Sequence, residues 1–141
     1  MRRDDRGSVT PMIVGFFVVV GLLAAVVVNA SAAFLTRQEL NNLADGAALA
    51  AADGVQGEQV YTGGLGENAT IDASAARRYV AQYLADTGAT AEYPGLRWQV
   101  SPDGDAVRVR VAAPMELPLG PPGWGDRTRV TGEAAVLLKV R

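Results

Sequence analysis

The sequence predicts an α+β protein: a long N-terminal transmembrane helix extending outward, a second amphipathic helix, and a small three-stranded antiparallel sheet. Three observations carry that expectation. No charged residue occurs between Arg6 and Arg37. Leucine and alanine then recur at three- and four-residue steps as far as Ala51, which is the spacing of one helical face. Val107, Val109 and Val111 alternate with Arg108 and Arg110, the two-residue period of a half-buried strand.

Size and composition set the bounds. A chain of 141 residues suits about one domain. Apolar residues make up 49% and charged residues 20%, a balance that fits neither a disordered chain nor a polytopic membrane protein. The formal net charge is −2, and no basic block follows the N-terminus. A nucleic-acid partner is therefore not expected. The chain has no His and no Cys. That removes the usual zinc ligands and the Ser–His and Cys-based nucleophile arrangements. The lack of Cys is compatible with either redox compartment.

Pro11 to Val28 holds no side chain more polar than Gly or Pro. Extended to Ser31, the run reaches the ~20 residues that cross a hydrocarbon core of ~30 Å as a helix. Pro11 suits the first turn, where its missing N–H costs nothing. Arg2, Arg3 and Arg6 precede the span and Arg37 follows it, so the positive-inside rule puts residues 1–10 in the cytoplasm, 11–31 in the cell membrane and the rest outside. The alternative is a cleaved secretory signal, with a mature N-terminus near residues 31–34. Against it, the helical pattern continues through the supposed cleavage site. Gly21, Ala25, Asn29 and Ala33 recur every four residues, a spacing at which small residues let membrane helices approach closely. The stripe drifts ~40° per step on a helix of 3.6 residues per turn; the plain alternative is that Ala and Gly are common here.

Residues 32–53 continue the helix as an Ala-rich extension. Leu40, Leu43, Ala44, Ala47, Ala48 and Ala51 line one face, and Arg37, Gln38, Glu39, Asn41, Asn42 and Asp45 are its polar complement. Asp53-Gly54 reads as a helix stop. Asn41, Asn42 and Asp45 beside the Ala stripe are candidates for partner recognition, because a polar edge can set register; the alternative is that they face water.

With those residues stated, a resemblance becomes specific. Residues 7–53 resemble the N-terminal region of TadG-like proteins of the Tad (Flp) pilus assembly system. The resemblance lies in Arg6-Gly7 before the apolar span and in RQELNNLADGAALAAA at 37–52. It implies a single-pass membrane protein whose partners are the lipid bilayer and other single-span helical proteins of a pilus or secretion machine. Two positions depart from the pattern. The family often has Asp at the outer end of the span, where this chain has Asn29. Related TadE-type pseudopilins carry Glu five residues after a cleaved Gly; counted from Gly7, that position is Met12. An uncleaved anchor is therefore expected.

The exported remainder reads in order. Residues 54–71 are a Gly-rich linker, with no Gly-Lys-Ser/Thr to make a phosphate loop. Asn68-Ala69-Thr70 matches a glycosylation acceptor, relevant only in a host with the enzymes. Residues 72–141 form a small extracytoplasmic α+β domain. Its helix runs from Asp72 to Thr87, with Asp72 or Thr70 as N-cap, Ala76, Tyr79, Val80, Tyr83 and Leu84 on one face, and Gly88 as stop. Strands follow at Leu96–Ser101, Ala106–Ala112 and Thr128–Val140, the first two joined by Pro102-Asp103-Gly104-Asp105. Asp103 and Asp105 fall short of the six to eight oxygens that calcium takes. Leu137 breaks the alternation of the last strand, so part of that strand's second face is expected to be covered. Trp124, in the Pro/Gly-rich loop, plugs a small core or touches a partner or lipid. The helix-then-sheet order is pilin-like in outline, by fold analogy.

No residue set supports catalysis, a cofactor or a small-molecule substrate, so the chain reads as no enzyme. The leading reading is a minor pilin-like or assembly component that works through helix packing. The alternative is a membrane-anchored extracytoplasmic binding or sensor module with no pilus role, which requires a concave site in residues 72–141.

Overall fold

The computed structural model describes residues 9–62, 72–120 and 128–138, and of residues 59–62 the backbone alone. The expected Gly-rich linker from residue 63 onward, the cytoplasmic N-terminus and Trp124 lie outside the described residues. The elements are α1 (Thr10–Thr62), α2 (Ala73–Asp86), α3 (Ala89–Glu92), β1 (Arg97–Asp103), β2 (Ala106–Pro114) and β3 (Arg129–Leu137). The fold is α+β. The three strands form one antiparallel sheet in the order β1-β2-β3, and α1 and α2 cover one of its faces.

The 53 residues of α1 rise about 80 Å. Its first half is apolar on every side and open: Phe16, Phe17, Leu22 and Val26 are all more than 60% exposed. A helix apolar all round calls for an apolar surrounding, in protein or in lipid, and α1 is long and apolar enough to cross a membrane. Its second half is amphipathic. Leu40, Ala44, Ala47, Ala48 and Ala51 are fully buried against the sheet and α2. The small alanines let α1 lie close to both.

The helix does not stop at Asp53-Gly54; it runs on to Thr62. Tertiary packing explains the difference. A Cβ at Gly54 would overlap the Tyr79 ring, and one at Gly46 would overlap the Tyr83 ring. The two glycines are slots for the α2 tyrosines, and the local cost of Gly in a helix, about 1 kcal/mol, is offset by the rings that cover it. Val55, one residue further, is 2% exposed in the same core. Beyond it, Arg78 Nη2 reaches Glu58 Oε1 at 3.1 Å, an exposed pair of small worth.

Asp72 caps α2: its Oδ1 accepts from the Ser74 N–H at 2.8 Å and the Ala75 N–H at 3.4 Å. The Ser74 hydroxyl also donates to it at 2.6 Å, and these bonds from Ser74 hold the carboxyl below its ordinary range. Ala76, Val80 and Leu84 face the core, joined by Ala75, with Tyr79 and Tyr83 half-buried against it. Gly88 follows at φ 69°, a left-handed turn that a side chain would strain. It opens straight into the single turn of α3, which at four residues is too short to show a period in sequence. Past α3, the Tyr93 hydroxyl donates to Glu39 Oε2 at 2.9 Å, tying the start of the sheet to α1. Burial, and then that hydrogen bond, push the phenol up to about 12.

The β1–β2 hairpin pairs Val100 with Val109 and closes Asp103 onto Ala106, with Gly104 at φ 62° in the turn. Val107, Val109 and Val111 are fully buried. On the opposite face Arg110 Nη2 meets Glu133 Oε2 at 2.7 Å, and Arg108 bridges Asp103 at 2.8 Å and Glu133 at 3.3 Å. Arg110 first, then Arg108, holds the Glu133 carboxyl below its usual range. In β3 the core side carries Val130, Gly132, Ala134 and Val136. The cover expected over Leu137 is not found; that side chain is 77% exposed. Both helices lie on the other face of the sheet, so the odd positions of β3 face outward.

Candidate functional site

The candidate site is α1 itself, so the question is which of its faces the domain leaves free. The residues picked out in sequence divide by face. Gly21, Asn42 and Asp45 are exposed; Ala25, Asn29, Ala33 and Asn41 are half-buried; Ala48 is fully buried. A four-residue step drifts ~40°. Three such steps carry the stripe from Gly21, on the open side, round to Ala33, on the side facing the domain.

Three of these residues make or accept contacts within the chain. Ala48 packs in the chain's own core. The Asn41 Oδ1 accepts the Glu133 N–H at 3.2 Å, so this amide covers a point on the free edge of β3. Sheet edges with unpaired N–H groups invite pairing by other chains, and Asn41 removes one such donor. Close by, a Cβ at Gly132 would overlap the backbone of Leu40 and Asn41. The glycine is what lets the helix reach the strand edge. Asn29 also reaches far along the chain: its Oδ1 accepts the Leu119 N–H at 3.0 Å, and its Nδ2 donates to the Leu119 carbonyl at 3.3 Å. Nothing in the local pattern announces that contact, because its partners are 90 residues apart.

The free face of α1 follows a seven-residue repeat. Gly21, Val28, Leu35, Asn42 and Leu49 are all exposed, and Ala24, Ser31, Gln38 and Asp45 fall between them, also exposed. Seven residues turn an ideal helix to within ~20° of where it began, so over the four steps from Gly21 to Leu49 the line winds by ~80°, and its outer part, Leu35 to Leu49, lies opposite the buried Leu40–Ala44–Ala47–Ala51 line. It crosses from the apolar half into the amphipathic half. Leu35 at 58% and Leu49 at 52% exposure flank the polar Asn42 and Asp45. Sequence reading found the two polar members but not the leucines, since only the fold reveals which leucines the domain leaves uncovered.

The outer face of the sheet carries a shallow depression of about 260 Å³ lined by Gln99, Ser101, Pro102, Asp103, Arg108 and Arg110. Its arginines are bonded to Asp103 and Glu133. Among the described residues no group of three or more carboxylates converges to hold a metal.

Comparison of the chain with curated proteins and with solved structures gives no match. Residues 7–54 match the family described as putative Flp pilus-assembly TadE/G-like. The matched segment holds the apolar half of α1 and the alanine-lined half that seats the domain. Over residues 7–54, then, the chain is similar to the putative Flp pilus-assembly TadE/G-like family, and that segment includes the stretch of α1 long and apolar enough to cross a membrane.

Proposed function

We propose that the protein is a single-pass component of a Tad/Flp-type pilus assembly or secretion system, with residues 1–10 cytoplasmic and the small domain outside the membrane. It acts without catalysis, as a minor pilin-like or assembly component, by packing α1 against the helices of other single-span proteins. One observation carries this reading: a single helix runs unbroken from the apolar span into the domain, and its side away from the domain stays open along the Gly21–Leu49 line. The pattern on that line suits a helical partner. Small Gly21, Ala24 and Ser31 allow close approach in the membrane half. In the outer half Asn42 lies between Leu35 and Leu49, and a polar residue in an apolar seam selects register at some cost in affinity.

The reading as a ligand-holding sensor has less support. The depression on the sheet is shallow, and its arginines are engaged by neighbouring carboxylates.

Because the chain has no cysteine, single substitutions give clean crosslinking sites. Asn42→Cys and Asp45→Cys in the full-length chain in its native membrane should form adducts that mass spectrometry identifies as single-span helical proteins. Asp103→Cys, on the outer face of the sheet, should not. No adduct at 42 or 45 with normal expression, or equal capture from 103, would sink the helix-packing role.

A further inference from the structure

We infer that the turn Leu117–Gly120 rests in the bilayer interface beside Asn29, with the Leu119 side chain as its apolar contact, and that this seating sets where α1 crosses the membrane; the inference rests on the membrane-anchored reading above. From Val9, the residue before α1, to Thr36 the chain carries no charge and rises about 42 Å. The hydrocarbon core is only ~30 Å thick. Hydropathy therefore leaves the crossing free to slide by about 12 Å, or about eight residues. The Asn29–Leu119 pair removes that freedom. Leu117–Gly120 is neither helix nor strand, and irregular backbone exposed to lipid is not found inside the hydrocarbon region. The turn lies outside it, and Asn29, bonded to the turn, lies there too. Val9 to Val28, immediately below, rises about 30 Å and fills the core by itself.

The turn is also built to approach an apolar medium. The Leu119 N–H and carbonyl are both paired with the Asn29 carboxamide, at 3.0 and 3.3 Å. The Gly120 N–H donates to the Leu117 carbonyl at 3.2 Å, and Pro118 has no N–H to satisfy. Paired peptide groups lose little on leaving water. The Leu119 side chain, by contrast, is 55% exposed, and the Leu-Pro-Leu-Gly segment carries no charge. Its position one residue past the apolar span makes the bilayer surface the occupant that continues the lipid contact of α1.

The test uses the full-length chain in phosphatidylcholine vesicles, with a nitroxide on single cysteines at Val20→Cys, Leu119→Cys or Asp103→Cys. Collision with oxygen reports lipid, and collision with a water-soluble nickel chelate reports solvent. The Val20 label should be fully protected from the chelate. The Leu119 label should be several-fold less accessible to it than the Asp103 label. Adding Asn29→Leu should return the Leu119 label to the Asp103 value. A Leu119 label as wet as Asp103, with Val20 dry, overturns the seating and spares the anchor. A Val20 label as wet as Asp103 overturns both. A dry Leu119 label unchanged by Asn29→Leu overturns the role of Asn29 in setting the crossing.

Discussion

Gly132→Ala tests the account of how α1 meets the sheet. The added methyl would overlap the Leu40 carbonyl carbon and oxygen and the Asn41 nitrogen. These are backbone atoms in mid-helix, so no rotamer change relieves the overlap. Either β3 or α1 must retreat. Overpacking of this kind costs about 1–3 kcal/mol. Retreat also breaks the Asn41–Glu133 hydrogen bond, whose net worth is about 1 kcal/mol. The sum, about 2–4 kcal/mol, is a large part of a small domain's stability. At 4–8 °C per kcal/mol for a domain of this size, Tm should fall by roughly 10–30 °C. The assay is thermal unfolding of the full chain in detergent micelles, followed by near-UV circular dichroism of the tyrosines and Trp98. Gly57→Ala is the matched control, because it has nothing within 4 Å of the added methyl. In mid-helix that change should stabilise by up to about 1 kcal/mol. A fall of less than about 2 °C for Gly132→Ala would refute the close contact of helix and strand edge.

Further outcomes follow from the same structure. Leu40→Ala empties a site at 0% exposure and should destabilise by about 2–5 kcal/mol, whereas Leu49→Ala, at 52% exposure, should leave Tm within about 2 °C while weakening capture by the Asn42→Cys crosslinker. The carboxyls of Asp72 and Glu133 are depressed by their hydrogen bonds, so their contribution is present above the unfolded carboxyl range near pH 4 and is lost as pH falls through the folded values. Stability at pH 6 should therefore exceed that at pH 3, and the acid loss should shrink in Asp72→Asn with Glu133→Gln; an unchanged acid limb would count against those bonds. The intact mass of the membrane-purified protein should match the chain with residues 1–7 present; their loss would point to pseudopilin-type processing despite Met12, and loss of about thirty residues would remove the anchor.

Features that depend on neighbours along the chain are legible from the residues alone. The apolar span, the alanine face of its extension and the alternation of β2 are periodicities, and a period is readable wherever it occurs. The Asp72 cap and the left-handed glycines at 88 and 104 meet backbone needs a few residues away. The remaining features depend on residues distant in sequence. Gly54 reads as a stop and is a slot, because Tyr79 fills the space beside it. Asn41 and Asn42 are alike in sequence, yet a rotation of 100° per residue turns one to the Glu133 N–H and leaves the other exposed. Ala48 and Leu49 divide in the same way, one in the core and one on the open line. Asn29 reads in sequence as a tolerated polar residue at the end of a span; its bonds to Leu119, across 90 residues, tie the Leu117–Gly120 turn to α1. A local pattern says that a helix has a face. Only the packing of the rest of the chain on that helix decides which face is spent inward and which is left for a partner.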